Sequence, residues 1–238
     1  MRSLSFMASR ELPPGTDAAL YDRVSELGLS LANPNAASKT RKSAWGLFVN
    51  AWNGLAYRLI AAHEYSVAFG QALGKAEDRY RQDHALFGFS FSSLSALECA
   101  FFAANSARLL LDGKEHAEIK GKALNISLDG IADAYKREFP GNPFTNLLGV
   151  IASSAELANL QDMRNALSHR GCLGRAAFFS TKEDIPYRIP SNPKALPAEF
   201  VYDLELVPAL TERQMDWLVT TINGFSVEFI ALLEGKNQ

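Results

Sequence analysis

The chain has 238 residues, a length that holds one large domain or two small ones. Apolar residues make up 47% and charged residues 21%, enough for a core, which excludes wholesale disorder. A net charge of −2 excludes duplex nucleic-acid binding driven by overall charge, so any such contact must come from a local patch. Two cysteines, Cys99 and Cys172, make neither a disulfide framework nor a four-ligand zinc site and suit a reducing cytosol.

Residues 1–15 carry Arg2 and Arg10 around a very short apolar stretch, without the apolar region of a secretory signal. No run of 18 apolar residues occurs. The nearest, Leu94 to Leu111, is broken by Glu98, Asn105 and Arg108. The expectation is a cytoplasmic protein with no membrane span. Helical spacing marks residues 17–31, stopping before Asn33-Pro34. It recurs over 41–74, through Trp45, Phe48, Val49, Trp52, Leu55, Leu59 and Ile60. Over 76–111, Phe87, Leu94, Leu97, Phe101, Ala104 and Leu111 keep a bundle-type seam.

A helix is expected at 115–138, ending before Pro140-Gly141. The next runs from Phe144 to Arg170. Asn142-Pro143 is suited to cap its start, and Ser153-Ser154-Ala155-Glu156 offers a fresh start after a break near Gly149. Gly171 sits where a C-terminal cap belongs. The period then changes: residues 175–180 and 200–207 read as strands, with Pro186, Pro190, Pro193 and Pro197 between them. This predicts a small antiparallel hairpin with a long connection. Thr211-Glu212-Arg213-Gln214 reads as a capping box opening the last helix, whose seam is Met215, Leu218, Ile222, Phe225, Phe229 and Leu232.

The expected fold is all-α: one domain over 1–238, with an N-terminal helical extension (1–75) packed on a bundle core (76–235). A hairpin insertion at 172–208 precedes the last helix. Phe87, Phe89 and Phe91 are expected in the core.

Two charges fall on apolar faces. Arg164 has Leu157, Leu160 and Leu167 on its own face, and Glu98 has Leu94, Leu97 and Phe101 around it. A buried charge without a partner is costly, so the two are expected to pair across facing helices. The bland reading of that pair is a structural bridge. The sharper one is a guanidinium aimed at a substrate anion. His169 lies in the last turn of its helix, where the negative end of the macrodipole favours imidazolium.

Arg164-Asn165-Ala166-Leu167-Ser168-His169 reads R-N-x-x-x-H near the end of a late helix. It resembles the R-x(4–6)-H motif of the HEPN superfamily (higher eukaryotes and prokaryotes nucleotide-binding), over roughly residues 76–235. The resemblance implies a four- or five-helix bundle, homodimerisation, and a metal-independent endoribonuclease that uses no cofactor. In that family the Arg and His line a cleft where two motif helices meet across the dimer. Arg164, Asn165 and His169 match those positions, and Glu98 is similar to an acidic residue that faces the motif. RNA is the implied substrate. Toxin–antitoxin and phage-defence roles, with an antitoxin protein as partner, come with the same resemblance.

Local charge agrees with an anionic ligand. Between residues 164 and 194, Arg164, Arg170, Arg175, Lys182, Arg188 and Lys194 face only Glu183 and Asp184. Phe178, Phe179 and Tyr187 interleave, a composition suited to stacking single-stranded bases. Arg170, Arg175 and Lys182 are the candidate RNA contacts. Other chemistries lack support: His63-Glu64 has Val at 67 where a zinc protease has its second histidine, and Gly70-Gln71-Ala72-Leu73-Gly74 lacks the lysine of a phosphate loop. The rival function is a non-catalytic helical binding or assembly module.

Overall fold

A computed structural model describes residues 12–31, 39–72, 79–111, 127–169, 174–175, 187–188, 201–202 and 207–235. In chain order the elements are α1 (Ala18–Ser30), α2 (Lys39–Ala72), α3 (Arg79–Leu111), α4 (Leu128–Glu138), α5 (Pro143–Ala152) and α6 (Ala155–His169). Then come β1 (Gly174–Arg175), β2 (Tyr187–Arg188), β3 (Val201–Tyr202) and α7 (Val207–Gly235). The fold is all-α in class, with three two-residue strands as its only described β structure.

Local chemistry sets most helix ends. Asp17 caps α1, its Oδ1 accepting from the Ala19 and Leu20 amides. Asn142 caps α5 through Phe144 N–H, and Pro143 takes the first turn, where its missing N–H costs nothing. The chain breaks at Ser153–Ser154 and restarts at Ala155. The 115–138 expectation is met over Leu128–Glu138, opened by Ser127, whose Oγ accepts from Gly130 N–H; residues 112–126 lie outside the described residues.

Two expectations need correction. α7 begins at Val207, four residues before the expected box, so Thr211 is a buried residue inside the helix. Pro208 sits in its first turn, where proline is tolerated. The strands also pair otherwise than expected. β1 runs parallel to β3, and β3 pairs antiparallel with β2, from within the expected connection. The order is β1-β3-β2, so a hairpin between 175–180 and 200–207 is not what the described residues form.

The chain divides into two compact units, with boundaries inside α2, α3 and α7. Unit 1 comprises 1–57, 95–154 and 219–238. Its centre is aromatic. Phe225 lies 5.0 Å from Phe144 edge-to-face, 5.5 Å from Phe229, 6.2 Å from Phe101 and 6.4 Å from Trp52 between ring centroids. All five rings are fully or almost fully buried. Trp52 Nε1 donates to Tyr21 O, and Tyr135 Oη donates to Ala104 O at 2.7 Å. The Arg108 guanidinium ties α3 to α4 through Glu138 and also donates to Asn105 Oδ1. The N-terminal helices share this core: Phe48 of α2 meets Phe229 of α7, and Tyr21 of α1 stacks on Trp52.

Unit 2 comprises 58–94 and 155–218. There α2 and α3 approach closely enough that a Cβ at Gly88 would stand 2.5 Å from the Tyr65 ring. Gln82 Nε2 donates to Ala72 O at 2.7 Å, joining the start of α3 to the end of α2. Among the described residues, two helical segments, 80–111 and 211–235, are long and apolar enough to cross a membrane by length and composition alone. Of their most apolar windows, 67% and 50% are buried inside the protein, as in core helices.

Candidate functional site

The site is built on α6. Its buried lane is Leu157, Leu160 and Met163, each at most 3% exposed. Steps of three place these on one side of the helix. Arg164, four residues after Leu160 and seven after Leu157, borders that lane and is half-buried. Its Nε is sealed from solvent and meets no hydrogen-bond acceptor among the described residues. A buried donor left unsatisfied costs about 1–3 kcal/mol, more when charged. Asn165 is half-buried beside it. His169 is the last residue of α6; its backbone is helical and its side chain lies outside the described residues.

Glu98 is placed differently from the expectation. Leu94, Leu97 and Phe101 around it are buried, yet Glu98 itself is exposed. The reason is angular. Successive residues turn by about 100°, so the residue after a buried Leu97 can fall outside the covered arc. Seven residues earlier on the same lane stands Phe91, also exposed. Glu98 belongs to unit 1 and Arg164 to unit 2.

Of the candidate RNA contacts, Arg170 and Lys182 lie outside the described residues. Arg175 is seen as a register position: one rung of the small sheet carries Arg175, Tyr202 and Tyr187, the other Gly174, Val201 and Arg188. Gly171 and Cys172 also fall outside. Among the described residues no group of three or more His, Cys, Asp or Glu comes together as metal ligands would.

Sequence reasoning missed three features of unit 2. Ser93 Oγ and Gln214 Oε1 are buried polar atoms with no hydrogen-bond partner among the described residues. Both residues carried a signal, a polar side chain within apolar helical spacing, but Gln214 reads equally well as part of a cap. The third is the exposure of Phe87 and Phe91, at 37% and 41%; only Phe89 of that group is in the core, at 0%. Comparison of the chain with protein-family models, with curated proteins and with solved structures gives no match.

Proposed function

We propose that this protein is a metal-independent endoribonuclease of the HEPN type, acting on RNA as a homodimer in the cytoplasm. The supporting observation is Arg164: the first residue of the motif stands half-buried on α6 with its Nε unsatisfied. A phosphate would satisfy that N–H and take a second hydrogen bond from the planar guanidinium fork.

The reaction then needs a base, an acid and a stabiliser of charge. One His169 takes the proton of a ribose 2′-OH as the 2′-oxygen attacks the adjacent phosphorus. The P–O5′ bond breaks, and the other subunit's His169 donates a proton to the leaving 5′-oxygen. Arg164 stabilises the charge that gathers on the phosphate, and Asn165 orients it. The products are a 2′,3′-cyclic phosphate and a 5′-hydroxyl. Arg170, Arg175 and Lys182 hold the flanking phosphates. Glu98, exposed on α3, keeps only the supporting role that the resemblance gives it. A toxin or phage-defence role, restrained by an antitoxin protein, fits such an activity.

The test is incubation with a mixed RNA pool in EDTA. Cleavage leaving cyclic-phosphate ends, abolished in His169→Ala and reduced at least ~10-fold in Arg164→Lys with an unchanged melting curve, is the expected result. The pH profile should be bell-shaped near an unperturbed histidine pKa of about 6.5, since one imidazole must be neutral while the other is charged. A strict Mg²⁺ requirement, or full activity in Arg164→Lys, overturns the mechanism. The rival reading, a non-catalytic assembly module, is favoured by the exposed rings of α3; intact RNA after incubation with a stably dimeric protein would decide for it.

A further inference from the structure

The three-stranded sheet brings together residues that lie far apart along the chain. β3 is its middle strand, parallel to β1 on one side and antiparallel to β2 on the other. The register aligns Tyr202 with Arg175 of β1 and with Tyr187 of β2; on the next rung Val201 aligns with Gly174 and with Arg188. Aligned residues on neighbouring strands share a face, and successive residues along a strand alternate between faces. The sheet therefore sorts two tyrosines and an arginine to one face, and glycine, valine and the second arginine to the other. With strands ~4.8 Å apart, the tyrosine rung spans roughly 10 Å. A slip of one residue in β2 would set Arg188 beside Tyr202 and split the pair.

Position along the chain ties this rung to the cleavage motif. β1 begins at Gly174, five residues after His169 ends α6, and both lie in unit 2. Five residues of chain reach at most ~18 Å. At the ~3.4 Å spacing of stacked bases that is about five nucleotides, and fewer in an extended strand.

We infer that the rung of Arg175, Tyr202 and Tyr187 is a stacking platform for two unpaired bases of single-stranded RNA, beside the phosphate held at Arg164. The inference rests on the ribonuclease reading for its ligand and narrows that substrate to single strands. Aromatic residues on neighbouring strands of a sheet stack unpaired bases, whereas in a duplex the base faces are already covered. Arginine at the end of the rung supplies charge for the connecting backbone. The six sheet positions hold two arginines and no acid, which fits a polyanion. A protein strand is a poorer occupant. Added at β1 or β2 it would find only two residues to pair with, too short a ladder for main-chain recognition.

The test uses the full chain carrying His169→Ala, which leaves RNA intact, and a single-stranded RNA of about 12 nucleotides containing 2-aminopurine. Binding is read by anisotropy and stacking by quenching of the 2-aminopurine. Binding should quench the fluorescence, and the same RNA annealed to its complement should bind at least ~10-fold more weakly. Tyr202→Leu and Tyr187→Leu should each weaken binding at least ~5-fold and relieve the quenching, with helicity, melting temperature and salt slope kept. Tyr202→Phe and Tyr187→Phe should keep both signals. Arg175→Gln should keep the quenching and lower the slope of log Kd against log salt by ~0.7. Absence of RNA binding, binding without quenching, equal affinity for the duplex, or Leu variants that bind as their parent does would overturn the inference. So would Phe variants as weak as the Leu variants. Cleavage by the wild-type chain is scored separately. Tyrosine-dependent binding without cleavage overturns the ribonuclease reading and leaves the platform standing. Cleavage at unchanged KM in both Leu variants overturns the platform and leaves the ribonuclease standing.

Discussion

Among the described residues, unit 1 satisfies nearly all of its buried polar groups, whereas unit 2 leaves several without a hydrogen-bond partner and holds three exposed rings on α3. In unit 1, Trp52, Phe101, Phe144, Phe225 and Phe229 fill a centre from which water is absent, and buried polar groups find acceptors: Tyr135 on Ala104, Thr145 on Phe139, Ser226 on Ile222. Among its described residues only Thr16 Oγ1 is buried without a partner. In unit 2, Ser93 Oγ, Arg164 Nε and Gln214 Oε1 are sealed and unsatisfied, while Tyr80, Phe87 and Phe91 face solvent. Native interiors rarely leave buried polar atoms unpaired, and those they do leave call for a specific explanation. The contrast teaches that stability is concentrated in unit 1 and that recognition is to be sought in unit 2. Both the proposed cleavage residues and the exposed rings of α3 lie there.

The comparison is broken most severely at the centre of unit 1. Phe225→Ala removes the ring that four others touch and should cost about 3–5 kcal/mol, read as a fall in the urea midpoint at unchanged slope. A loss under ~1 kcal/mol would show that unit 1 is not the stability core.

Alkali should strain unit 1 next. Burial raises the Tyr21 phenol's pKa, helped by the nearby Asp22 carboxylate. Burial also raises that of Tyr135, with Arg108 opposing and Glu138 adding. Both phenols stay protonated in the folded chain while the unfolded chain releases its protons near pH 10. The stability they contribute is complete below that pH and is lost as pH rises toward the raised folded values, at up to ~1.4 kcal/mol per pH unit for each phenol. Urea titrations from pH 8 to 11.5 should show this fall, and Tyr135→Phe should make it shallower.

Two glycines sharpen the contrast. A Cβ at Gly28 would stand 2.1 Å from the ring edge of Phe48, which is fully buried and has nowhere to go. The overpacking cost of about 1–3 kcal/mol outweighs the ~0.5–1 kcal/mol that alanine gains in a helix, so Gly28→Ala should lower thermal stability. At Gly88 the obstacle is Tyr65, which is only half-buried and can swing aside. Gly88→Ala should therefore cost less than Gly28→Ala in the same melting assay. The smallest effect belongs to Ser93→Ala. The hydroxyl has no described bond to lose, so stability should stay level or rise by up to ~1 kcal/mol. A loss beyond that would mean that Ser93 Oγ holds a partner and that unit 2 is better satisfied than its geometry indicates.

Much of the helical framework was legible before any coordinates. Asn142-Pro143 and the break at Ser153–Ser154 were readable because a cap is a contact within three or four residues. The seam of α7 was readable because Leu218, Ile222, Phe225 and Phe229 lie on its one apolar stripe. Arg164 on the border of the α6 lane was readable for the same reason. α3 was not. Apolar residues surround it almost completely: from Ser92 to Ala107 most positions are buried. Periodicity then names no single face, and the exposed lane of Tyr80, Phe87, Phe91 and Glu98 could not be told from the covered ones.

The amino-acid sequence by itself determined several helix ends, the all-α class, and the placement of Arg164, Asn165 and His169 on one late helix. Each of these is a matter of neighbours along the chain. The tertiary structure decided which helical arcs are covered. It put Glu98 and the α3 rings in water, Thr211 inside a helix, and Arg164 Nε out of water without an acceptor. It also made β1 and β3 parallel. These outcomes depend on which elements come together in space, and no local spacing encodes that, because burial is a property of the neighbour that arrives and not of the residue that waits.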